Sequence, residues 1–166
     1  MDAFKAGPLA LAIALTGALA GTAFAATSND FVNAAASGGI TEVEAGRLAL
    51  EKSSSADVKT FANQMIKDHG AANEKLTALA QKLDIEVPDS ATLTQQAKQK
   101  VLEMRDDSFD KAYAANQVKA HEDTVALFKK EAASSDKPEL KAFAEKTLPT
   151  LEEHLKMAKA LQAKHQ

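Results

Sequence analysis

Apolar residues recur at alternating three- and four-residue steps along three stretches of this chain, and a helix bundle is the architecture that uses such stripes. The first stripe is Val58, Ala62, Met65, His69, Ala72, Leu76, Leu79 and Leu83. The second is Ala114, Val118, His121, Val125, Phe128 and Ala132, and the third is Leu140, Ala144, Thr147, Leu151, His154, Ala158 and Leu161. Each stripe carries one histidine where an aliphatic residue is expected. A buried imidazole brings polar nitrogens that need partners, so three of them in register predict a polar or metal-binding layer inside the bundle.

The composition agrees with an all-α fold. Alanine, leucine, lysine and glutamate dominate, aromatic residues make up 5% and tryptophan is absent. There is no cysteine, which excludes disulfides, thiolate metal sites and cysteine nucleophiles. The net charge is −3, with lysines and acids interleaved, which argues against nucleic acid as a partner.

The chain opens with Lys5, a short apolar run from Pro8 to Leu19, and Ala23-Phe24-Ala25. This pattern predicts a secretory signal peptide over 1–25 and a single bundle domain over 26–166. No later run is long enough to span a bilayer, so no transmembrane span is expected after cleavage. The expected location is periplasmic or secreted. The missing cysteine rules out a lipoprotein anchor.

Turn and cap residues divide the mature part. Helix A is expected from Asp30 to Lys52, with Gly38-Gly39 breaking it into two pieces. Helix B runs from Ala56 to about Leu83, and Asp84 to Ser90 form a linker. A short helix follows from Thr92 to Met104. Asp106-Asp107-Ser108 open helix C, which ends near Ala133. Pro138 opens helix D, which runs to about Ala163 and is expected to kink at Pro149. The openings of helices B and D echo one another (Asp57-Val58-Lys59-Thr60-Phe61-Ala62 and Glu139-Leu140-Lys141-Ala142-Phe143-Ala144), which suggests two related hairpins.

With a rise of ~1.5 Å per residue, His69 and His121 each lie ~20 Å into their helices and His154 ~25 Å. All three therefore fall near mid-bundle. Glu42 and Glu44 of helix A reach the same level, and either one could complete the set. Three histidines and a carboxylate suit zinc, copper or iron. The alternative is a buried layer in which the histidines bond to one another, to Glu42 or Glu44, and to Asn73, Gln117 and Thr124, fixing helix register. A histidine acting as general base is a third reading, but no nucleophile accompanies it. The Glu-x-x-His pattern of di-iron bundles is absent, because Ile66, Val118 and Leu151 stand three residues before the histidines. Asp68, Glu122 and Glu153, each adjacent to a histidine, are expected in solvent or behind the ligands. His165 is expected to be solvated at a frayed end, and Met65 to be core.

Taken in order, several motifs resemble one bacterial exported family. They are Phe31-Val32, Glu42-Val43-Glu44-x-Gly46-x-Leu48-Ala49, Val58-Lys59-x-Phe61-Ala62-x-x-Met65-x-x-Asp68-His69-x-x-x-Asn73, Phe109-Asp110-x-x-Tyr113, and Leu140-Lys141-x-Phe143-Ala144-x-x-Thr147-Leu148-Pro149-x-Leu151-x-x-His154. The family is the domain of unknown function four-one-four-two, whose members are often labelled predicted outer membrane proteins. The resemblance implies a ferritin-like four-helix bundle made of two hairpins, with the segment from Asp84 to Asp107 as their connection. It implies no established reaction. Barrel strands are absent from the sequence pattern, so the outer-membrane label would mean peripheral association at most.

Overall fold

The computed structural model describes residues 29–166, and the expected signal peptide lies outside the described residues. Five helices follow one another: α1 (Asp30–Lys52), α2 (Ala56–Lys82), α3 (Leu93–Glu103), α4 (Phe109–Ser134) and α5 (Pro138–Lys164). No strand occurs among the described residues. Local chemistry sets the boundaries. Asn29 Oδ1 accepts the Val32 N–H at 2.9 Å and caps α1. Ser53-Ser54-Ser55 separate α1 from α2, and the Asp57 carboxylate sits in the first turn of α2. At the end of α2, Asp84 takes a left-handed φ of 54°, the Ile85 N–H returns to Ala80 O at 2.9 Å, and the Ile85 side chain is buried. Thr92 and Gln95 form a capping box at α3.

The four long helices form the bundle. α1 packs on α2 and α4, and α5 packs on α4 and α2. Two apolar cores show the direction of each helix. One gathers Phe31, Val32, Leu76, Val125, Phe128 and Leu140, which combines the starts of α1 and α5 with the ends of α2 and α4. The other gathers Ala49, Val58, Phe61, Met65, Tyr113 and Leu161, the opposite ends of the same helices. Thus α2 and α4 run the same way, and the segment containing α3 crosses the length of the bundle between them.

Gly38-Gly39 does not break α1, which is continuous from Asp30 to Lys52. The glycines serve packing instead. A Cβ on Gly39 would stand 2.8 Å from Asn73 Cγ, and one on Gly46 would stand 2.7 Å from Ile66 Cγ1 and 3.0 Å from Ala62 O. One heptad apart, these two glycines let α2 lie close against α1. α5 likewise continues through Pro149, which is exposed and so loses its backbone bond on the solvent side. On α4 the buried position is Gln117, while Val118 is only half-buried. His165 is not loose: its Nε2 lies 3.1 Å from Asp57 Oδ1 and ties the end of α5 to the start of α2.

Candidate metal centre

His69 on α2, His121 on α4 and His154 on α5 are 6%, 1% and 2% exposed. They belong to neither apolar core and lie between the two. Their ring centroids form a nearly equilateral triangle with sides of 5.4, 5.3 and 5.5 Å. One ring nitrogen from each lies within 4.8 Å of the others. The convergence expected from the three stripes is present.

Hydrogen-bond partners orient the rings. His121 Nδ1 is 2.8 Å from Gln117 O. A carbonyl only accepts, so Nδ1 carries the hydrogen and Nε2 keeps its lone pair. His154 Nε2 is 2.9 Å from Asp68 Oδ2. The carboxylate accepts in the same way, which leaves the lone pair on Nδ1, and that buried nitrogen has no partner among the described residues. A histidine held through its other nitrogen by a carboxylate or carbonyl is the usual support of a metal ligand. His69 Nε2 stands 3.3 Å from His121 Nε2. Two imidazole nitrogens on one tetrahedral zinc, each at about 2.0–2.1 Å, stand about 3.3 Å apart. That pair has the spacing of two zinc ligands, and the third ring nitrogen lies within 4.8 Å of both, so the three imidazoles could hold an ion.

Burial works against the charged form of His69 and His154. Burial, reinforced by His121 and His154, drives the His69 pKa down to about 3. Burial also lowers His154, against the opposing pull of the Asp68 hydrogen bond. For Asp68 itself burial acts upward, but the bonds from Gln64 and His154 leave the carboxyl below its ordinary value. An unprotonated imidazole is the form that binds metal.

The carboxylates sort themselves clearly. Glu42 is 5% exposed, whereas Glu44 points to solvent and is exposed. Neither joins the three-histidine cluster. Burial raises the Glu42 pKa, opposed in lesser measure by the neighbouring His121 ring and by a bond from Gln117. Glu122 and Glu153 are exposed and paired with Lys159 and Lys156. Asp68 departs from these two, since it is half-buried and reaches back to the histidine of another helix. Thr124 and Asn73, expected as bonding partners in a polar layer, instead line a cavity of about 30 Å³ beside His69, together with Thr147.

Residues 14–161 match the model of a family described as Domain of unknown function (DUF4142). The chain belongs to that family. No curated protein and no solved structure matches it. Membership in DUF4142 thus brings no reaction with it, and any reading of the site has to come from the histidines and their surroundings. No described helix is long and apolar enough to cross a membrane.

Proposed function

We propose that this DUF4142 member is an exported, ferritin-like bundle protein that holds one transition-metal ion, zinc, copper or iron, between α2, α4 and α5. One observation carries the reading: three buried imidazoles from three helices present ring nitrogens within 4.8 Å of one another. The Asp68 and Gln117 contacts support it, because they leave lone pairs on His154 and His121. The crossover between α2 and α4 agrees with the one long connection of ferritin-like bundles. The leader-like sequence over 1–25 supports export.

Three neutral imidazoles would leave a fourth position on a tetrahedral ion for water or another small molecule. The cavity beside His69 has room for about one water. The absence of a carboxylate from the cluster disfavours a di-iron centre and favours a single borderline ion. We therefore read the protein as a metal-holding module, with a part in metal handling or stress, rather than as an established enzyme.

The 3.3 Å contact between His69 and His121 also favours a second reading, a hydrogen-bonded layer that fixes register without metal. Metal analysis of untagged protein separates the two. About one equivalent of zinc, copper or iron, with a raised melting temperature on adding the ion, supports the metal centre. Negligible metal and no melting shift with any of the three would leave the hydrogen-bonded layer.

A further inference from the structure

A cleft of about 1000 Å³ opens between α1, α3 and α4, on the side of the bundle away from α5. Its walls are apolar where Ala45, Leu102 and Leu127 line it. Its inner surface is not. Glu42 and Gln117 line the cleft, are 5% and 2% exposed, and leave Glu42 Oε2 and Gln117 Oε1 without a partner among the described residues. A buried acceptor left unpaired costs about 1–3 kcal/mol, so a ligand hydroxyl that donates at this point is favoured.

The mouth has the opposite character. Lys98 of α3, Arg105 in the turn after it and Lys111 of α4 line it and are exposed. Lys119, also on the lining, is already paired with Asp123. Neither Lys98 nor Lys111 takes part in an ion pair among the described residues. A cationic mouth disfavours metal ions as visitors and favours an anion. Burial raises the Glu42 pKa, which lessens the opposing charge this carboxyl presents to an anion.

We propose that this cleft binds a small amphiphilic hydroxy acid. Its anionic end meets Lys98, Arg105 and Lys111, its apolar body lies against the alanine and leucine walls, and its hydroxyl reaches Gln117 Oε1 and Glu42. The two polar ends are separated by the six residues from Lys111 to Gln117, about 9 Å along α4. α3 acts as the cover. Lys52 Nζ fixes its C-terminal end by donating to Glu103 O at 2.5 Å, and Leu102 is buried there, while Leu93 and Val101 are exposed. The proposal does not depend on the metal reading.

Calorimetric titration of the full mature chain with ω-hydroxydecanoate, decanoate and decanol tests it. The hydroxy acid is expected to bind at one site per chain, about tenfold or more tighter than either analogue lacking one end. Gln117→Leu should remove its advantage over decanoate. The surface variant Lys98→Gln/Lys111→Gln, which does not threaten folding, should remove its advantage over decanol and flatten the salt dependence. No binding of the hydroxy acid, or equal binding of all three ligands by the native chain, would overturn the proposal. So would an unchanged ligand preference in the lysine variant. Repeating the titration with and without zinc keeps the outcome separate from that of the histidine centre.

Discussion

Replacing His69 by leucine is expected to flatten the acid side of the stability profile. An unfolded histidine titrates near 6.5, whereas His69 in the folded chain titrates at about 3. Between these values the unfolded state takes a proton that the folded state refuses. The stability that neutral His69 permits is therefore complete above about pH 6.5, falls as the pH drops, and stops falling near pH 3. At pH 5 the loss from this one ring amounts to about 2 kcal/mol, with 1.36 kcal/mol for each unit between pH and pKa. Other groups titrate too, but the comparison isolates His69. His154 is also depressed, through burial and His121, and keeps its shift in the variant. Raised Glu42 acts with the opposite sign, gaining stability as the pH falls, in both proteins. Depressed Asp68 loses stability only as the pH falls through and below about 4, outside the window. Urea unfolding at pH 7.5 and pH 5.0, in the presence of a chelator and followed by circular dichroism, measures the difference. Native protein should lose about 2 kcal/mol more than His69→Leu over that interval. Equal losses would refute the claim that burial holds this imidazole neutral. With zinc added, the native loss should steepen, because protons then compete with the ion.

Three further outcomes follow from the packing and the ligand support. Asp68→Ala removes the acceptor that orients His154 and should weaken zinc binding by about 10- to 100-fold in a chelator competition, with unchanged affinity counting against the tripod. Gly46→Ala drives a methyl towards the Ala62 carbonyl and Ile66 and should cost about 1–3 kcal/mol in urea unfolding; Gly39→Ala should cost less, because the Asn73 side chain can swing away, and Asn73→Ala should rescue it. Lys52→Ala severs the contacts to Glu103 and Asp106, so amide exchange should quicken across α3 while the four long helices keep their protection.

The helices and the histidine register were legible because both depend on local periodicity and caps. Asn29, the serine turn at 53–55, Thr92 and Pro138 mark the boundaries in the chain itself. What escaped depends on which helix lies opposite. Gly38-Gly39 looked like a break, because a glycine pair weakens any isolated helix; only the approach of α2 turns Gly39 into a packing site. Glu42 and Glu44 lie two residues apart and could not be ranked until the bundle buried one and exposed the other. Asp68 stands beside His69 in sequence yet serves His154, a pairing set by the arrival of α5. Gln117 took the buried place read as Val118, a one-position shift of the α4 stripe. His165 looked frayed because its partner Asp57 lies at the far end of the sequence interval. The cleft had no local signature, since it exists only through the placement of α3.

The histidines join three of the four long helices and leave out α1. An ion at this level would tie α2, α4 and α5 as a single stitch through their midpoints, leaving the first helix held by side-chain packing and by its two glycine seats on α2. Loading and unloading such an ion would then change the freedom of α4 and α5 relative to α2 far more than that of α1. The α1–α4 seam would become the natural line of parting, and that seam is where Glu42 and Gln117 face the cleft. Amide exchange measured with and without metal would show this as asymmetric protection, strong around His121 and His154 and faint along the face of α1 that carries Thr41 and Glu42.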